Sequence, residues 1–93
     1  MARLDDAEIA GALAGLDGWA RDGDELVRQL TFADFKAAIA FVVRLAFEAE
    51  AANHHPDILV HGYKHVRLTL STHSAGAVTD NDFALARTID ELV

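Results

Sequence analysis

The sequence contains no cysteine, so it has no disulfide framework and no thiolate chemistry. Cations are also scarce: 8 Lys and Arg stand against 15 Asp and Glu, a formal charge of −7. That balance argues against non-specific nucleic-acid binding, which needs clustered Lys and Arg to neutralise phosphates. It leaves room for a small anionic ligand met by one local Arg. Long hydrophobic runs are missing as well. The run Ala37 to Val43 is followed by Arg44, so no membrane span is expected. No basic stretch leading into an apolar one opens the chain, so no signal peptide is expected either, and a cytoplasmic protein is the simplest reading. Pro56 is the only proline, and no repeat, low-complexity tract or linker is visible. The 93 residues therefore read as a single domain, 1–93. It can bury one core with little surplus stability, and oligomerisation would help.

What is present falls into seven elements. Leu4 to Leu16 reads as a helix, opened by Asp5 with Glu8 and carrying Ile9, Leu13 and Leu16 on one face. Asp17-Gly18 ends it, and Trp19 is expected to pack across the core edge. Asp22-Gly23-Asp24 marks a turn between two extended runs. In the second, Glu25 to Phe32, the side chains Leu26, Leu30 and Phe32 point one way and Val27, Gln29 and Thr31 the other, with Arg28 interrupting the apolar set. Thr31 with Asp34 predicts the start of a long helix from about Ala33 to about Ala52. Its stripe is Phe35, Ile39, Val42, Ala46 and Ala49, widened by Phe41, Val43 and Leu45. A helix apolar over so much of its circumference needs cover on more than one side. The sheet supplies one side, and a partner subunit is the candidate for the other.

Pro56 disfavours helical geometry at His55, so this helix must end near Asn53. Ile58-Leu59-Val60 reads as a short strand and Gly62 as a turn or bulge. Lys64 to His73 is a strand in which Val66, Leu68 and Leu70 alternate with His65, Arg67, Thr69 and Ser71; His73 keeps the polar parity. After the loop Ser74-Ala75-Gly76, Thr79 and Asp82 cap a last helix with Phe83, Ala86, Ile89 and Val93 inside. The order α-β-β-α-β-β-α predicts an α+β fold: a four-stranded, mainly antiparallel sheet with helices packed on one face.

The chemistry concentrates in Glu48 to Asp57, E-A-E-A-A-N-H-H-P-D, where His54 and His55 are adjacent and held by Pro56. His73 returns later in T-H-S-A-G. Imidazole, with an unperturbed pKa of about 6.5, suits acid/base work at neutral pH. Glu50 precedes His54 by four residues and shares its helix face if the last turn persists, so it could orient that ring. Asp82 could do the same from a helix start, though its residue type in a first turn reads first as a plain cap. His61 and His65 read as surface residues. Three imidazoles also suffice for a catalytic zinc, but neighbours in sequence rarely both face one ion, and the helical i, i+4 His pair is missing. Ser71, Thr72 and Ser74 lack a nucleophile-elbow motif.

From about Trp19 to the C-terminus the chain resembles the pterin-4a-carbinolamine dehydratase family. The resemblance is carried by G-W at Gly18, F-x-x-F from Phe32 to Phe35, A-E-x-x-x-H-H-P-D from Ala49 to Asp57, L-x-T-H from Leu70 to His73, and G-x-x-T-x-x-D from Gly76 to Asp82. It implies a hydro-lyase that dehydrates 4a-hydroxytetrahydropterin to quinonoid dihydropterin and water, supporting tetrahydrobiopterin recycling, with no metal and no redox cofactor. His54 and His73 would be the acid/base pair, and His55 would bind and shape the pocket. Glu50 and Asp82 would tune the imidazoles or contact the pterin. The resemblance also implies the same layer fold and assembly into homodimers or homotetramers. The alternative it carries is a non-catalytic binding protein, either a dimerising cofactor of a transcription factor or an assembly factor for the large carbon-fixing enzyme. Ile58, Gly62 and Ala77 depart from the family pattern at the pocket's rim.

Overall fold

Residues 2–93 are described by the structure, a computed structural model. The elements are α1 (Asp6–Leu13), β1 (Trp19–Asp22), β2 (Glu25–Thr31), α2 (Phe35–Ala52), β3 (Asp57–His61), β4 (His65–Leu70) and α3 (Asp80–Leu92). The strands form one antiparallel sheet in the order β1-β2-β4-β3. Its register pairs Leu26 with Leu70 and Leu30 with Val66, so their side chains share a face. That face joins Phe41 and Leu45 of α2 and Phe83 and Ile89 of α3 in one buried cluster. The opposite parity leaves Gln29, Leu59 and Arg67 exposed, and the three helices cover one side only. This is the expected α+β layer arrangement. Among the described residues, no helix is long and apolar enough to cross a membrane.

Several details differ from the sequence reading, each for a local reason. Helix α1 stops at Leu13; Leu16 still packs against the core, but from a turn. The cap of α2 is Asp34, whose carboxylate accepts from the Ala37 N–H at 2.8 Å. Thr31 stays in β2, because the Phe32 N–H continues the ladder to the Lys64 carbonyl at 2.9 Å. The buried face of α2 is Ala38, Phe41, Leu45 and Ala49, not the expected stripe, of which only Ala49 is buried. A helix apolar on most sides does not reveal its inner face by period alone. Here the face is chosen by Phe41, whose ring packs on Phe32 with centroids 5.1 Å apart. Phe35, Ile39, Val43 and Phe47 lie outside, between 37% and 75% exposed.

Trp19 is buried and its indole N–H donates to Asp90 at 2.9 Å. Arg28 pairs with the same carboxylate, which explains a cation on the inner parity of β2. Gly62 lies in the turn between β3 and β4, with φ +55, and a Cβ there would stand 2.9 Å from Cδ2 of His65. Strand β4 ends at Leu70, and His73 lies beyond it: the Gly76 N–H reaches back to the Thr72 carbonyl at 2.9 Å, folding the chain into a turn. In α3 Leu85 joins the inner face, whereas Val93 follows the helix end and is exposed.

Candidate active site

The end of α2 positions the first two histidines. Asn53 takes the left-handed conformation, with φ 50 and ψ 42, and closes the helix through N–H contacts to Ala49 and Glu50. Asparagine tolerates this conformation better than a branched residue does. The chain therefore leaves the helical path one residue before His54. That separates the partners inferred from helical spacing: Glu50 meets His55 Nε2 at 2.6 Å, not His54. Both side chains of that pair are more than half exposed.

His54 turns inward to α3. Its Nε2 lies 2.6 Å from Oδ1 of Asp82, a carboxylate that is completely buried. Oδ2 of Asp82 accepts from the Thr79 N–H at 2.8 Å and from the Thr72 hydroxyl at 2.9 Å. With its proton directed to the carboxylate, Thr72 accepts in turn from the Thr79 hydroxyl at 2.7 Å. No buried side-chain nitrogen or oxygen lacks a partner among the described residues. A carboxylate only accepts, so this network places hydrogen on Nε2 of His54 and leaves Nδ1 as the ring's other functional nitrogen. Nδ1 has no protein hydrogen bond among the described residues.

The third histidine arrives from the turn after β4. A cavity of about 240 Å³ is lined by Asn53, His54, His55, Ser71, Thr72, His73, Ser74 and Asn81. All three histidines therefore border one open space. His73 is exposed and its ring makes no hydrogen bond to another described residue. Of the other expected site residues, Asp82 lies directly behind His54, Glu50 behind His55, and Pro56 outside the lining, where it leads the chain into β3. No group of three or more His, Cys, Asp or Glu side chains is placed to hold a metal ion among the described residues.

Sequence reasoning missed Asn53 and Asn81 as lining residues, and considered Thr72 only as a nucleophile. For Thr72 a signal existed. It continues the parity of Val66, Leu68 and Leu70, so its hydroxyl had to be buried and paired.

Such an arrangement can give a proton at one end of a small polar ligand and take one at the other. The chain is matched over residues 2–92 by the family model for pterin 4 alpha carbinolamine dehydratase. A relative from Chloroflexus aurantiacus, provisionally named as that enzyme, is 54% identical over 93 residues, covering 100% of this chain and 99% of its own. One from Thermomicrobium roseum, named in the same way, is 54% identical over 92 residues, covering 99% and 98%. A crystal structure from Brucella melitensis, titled a transcriptional coactivator/pterin dehydratase, superposes with a TM-score of 0.92 at 35% identity, covering 98% of both chains. A pterin dehydratase-like protein, titled a RuBisCO assembly factor in the alpha-carboxysome, gives 0.68 at 26% identity over 81% of this chain and 88% of its own. The chain belongs to the pterin-4-alpha-carbinolamine dehydratase family.

Proposed function

We propose that this protein dehydrates 4a-hydroxytetrahydropterin to quinonoid dihydropterin and water. As the C4a–O bond breaks, the N5 lone pair forms the C4a=N5 double bond, the departing oxygen takes a proton from one imidazolium, and the N5 proton passes to a second imidazole. No electron is gained or lost overall, so no redox cofactor is needed. One observation carries the reading: His54, oriented by buried Asp82, borders the same open cavity as the unpaired ring of His73. We assign the base to Nδ1 of His54, because its Nε2–H is committed to Asp82. His73 supplies the proton to the leaving hydroxyl. His55, steadied by Glu50, lines the cavity and holds the substrate.

The test replaces His54 and His73 singly with alanine and follows dehydration of synthetic 4a-hydroxytetrahydropterin by stopped flow, after chelation and without added metal. Loss of about 10²–10⁴ in rate is expected for each, the usual contribution of a positioned acid or base. Folded variants that keep the full rate would sink the assignment, and activity that returns only with zinc would replace it with a metal mechanism.

A second, associative role is favoured by the exposed row Phe35, Ile39, Val43 and Phe47 on α2. We assign that row to self-association as a dimer or tetramer, since an apolar face of this width is seldom left in water. A pull-down from host lysate that recovered a different protein in stoichiometric amount would favour the partner-binding alternative.

A further inference from the structure

A second, smaller cavity of about 90 Å³ adjoins the candidate active site. It is lined by Glu25, His55, Asp57, Thr69, Ser71 and His73, and His55, Ser71 and His73 border both spaces. Two carboxylates therefore stand beside the proposed catalytic groups without belonging to the acid/base network.

The two are not equivalent. Asp57 pairs with Thr69 in the β3–β4 register, and Arg67 is its diagonal neighbour on the same face. Asp57 and Arg67 also line a further cavity together. Diagonal positions are within reach of long side chains, so Asp57, exposed and itself in no ion pair among the described residues, has a cation within side-chain reach. Glu25 has none. Its register partner on β1 is Asp22, and no ion pair among the described residues includes it. It is half-buried at the start of β2. A partly desolvated carboxylate without a counter-charge is costly unless donors reach it.

We infer that Glu25 is the specificity residue of this site, its carboxylate accepting from the N3–H and 2-amino groups of a 2-amino-4-oxopyrimidine ring. The inference rests on the dehydratase reading of the adjoining cavity. In the carbinolamine the pyrimidine ring is fused at C4a, the carbon that loses hydroxyl. With the C4a–N5 bond between His54 and His73, the pyrimidine ring extends one ring-width away, and the shared His55–Ser71–His73 border opens to Glu25 in the smaller cavity. N3–H and the 2-amino group are parallel donors, the pattern that a carboxylate takes in two hydrogen bonds. Asp57, which is exposed and has Arg67 at the diagonal position, plays the lesser part.

The experiment compares equilibrium binding of pterin and of lumazine, in which a carbonyl oxygen replaces the 2-amino donor, by ligand fluorescence. It uses the wild type, Glu25→Gln, Glu25→Ala and Asp57→Asn, with thermal melts to verify folding. The wild type is expected to prefer pterin by about ten- to hundredfold, the worth of hydrogen bonds to a charged acceptor. Glu25→Gln, whose amide offers one acceptor and one donor, is expected to lose that preference, and Asp57→Asn to keep most of it. With the carbinolamine, the Glu25 variants should lose more in KM than in kcat. A wild type without preference, a Glu25→Gln variant that retains it, or collapse in Asp57→Asn alone overturns the assignment. The wild-type dehydration rate judges the underlying reading separately: preference for pterin without turnover removes the enzyme and leaves Glu25 as a ligand contact.

Discussion

Replacing Asp82 with asparagine separates the two tasks of this carboxylate. The side chain keeps its shape, and its one carbonyl oxygen can stay with the Thr79 N–H and the Thr72 hydroxyl, at 2.8 and 2.9 Å in the native protein. The amide nitrogen then faces Nε2 of His54 across the former 2.6 Å contact. Two N–H groups cannot face each other there, so His54 must release its Nε2 hydrogen and carry it on Nδ1. The ring survives in the other tautomer, and the nitrogen assigned as base is blocked. Hydrogen bonds to charged groups contribute about 1.5–3 kcal/mol and neutral ones about half that. Loss of negative charge at a helix start adds about 0.3–1 kcal/mol. Relief of the buried charge offsets part of this. The net loss of stability is expected to be about 1–3 kcal/mol, which lowers Tm by about 5–20 °C for a chain of this size.

The rate per folded molecule should fall by about 10²–10⁴, as for loss of a general base. Urea unfolding gives the first number and stopped-flow dehydration at a temperature where the variant is fully folded gives the second. A variant that is destabilised but turns over at the native rate refutes the tautomer argument and leaves Asp82 as a helix cap. A variant with native stability refutes the buried network as a source of stability.

Three further outcomes follow from the packing. Phe41→Ala removes a fully buried ring packed against Phe32 in a tilted arrangement and should cost about 3–5 kcal/mol, measured by denaturant midpoint, close to the whole stability of a small domain. Glu50→Ala removes an exposed pair with His55, so unfolding free energy should change by less than about 1 kcal/mol while KM rises; a large loss of stability would contradict the exposed geometry. Phe47→Glu places a charge in the exposed row of α2 and should shift the molar mass by light scattering toward the monomer without lowering Tm of that monomer.

The legible part of the fold was the part governed by short periods. Alternation at Val66, Leu68 and Leu70 identified β4, the capping boxes at Asp5 and Thr79 marked two helix starts, and Pro56 bounded α2. The three histidines stood out as candidates because imidazole suits acid/base chemistry at neutral pH, and the fold brings all three to the border of one cavity. The inner face of α2 was not legible, because Phe35, Ile39, Val43 and Phe47 are as apolar as the residues that are buried. Choosing between such faces needs the sheet to be present. Glu25 was hidden for a similar reason: on the strand it is one more polar residue, and only the pairing of β2 with β4 sets it beside Ser71 and His73.

Glu50 and Asp82 show where local rules stop. Helical spacing assigned Glu50 to His54, but one left-handed residue, Asn53, redirected the chain and gave Glu50 to His55. Asp82 read as a cap, and it is one, through Oδ2. Its Oδ1 reaches a residue 28 positions away, a pairing no local pattern encodes. Because one carboxylate performs both tasks, the first turn of α3 and the tautomer of His54 are coupled. Fraying of that turn would release Asp82 from Thr79 and let His54 lose its orientation. Capping of α3 and the orientation of His54 therefore rest on one buried carboxylate, whose two oxygens are both partnered and whose desolvation is offset by that complete set of hydrogen bonds.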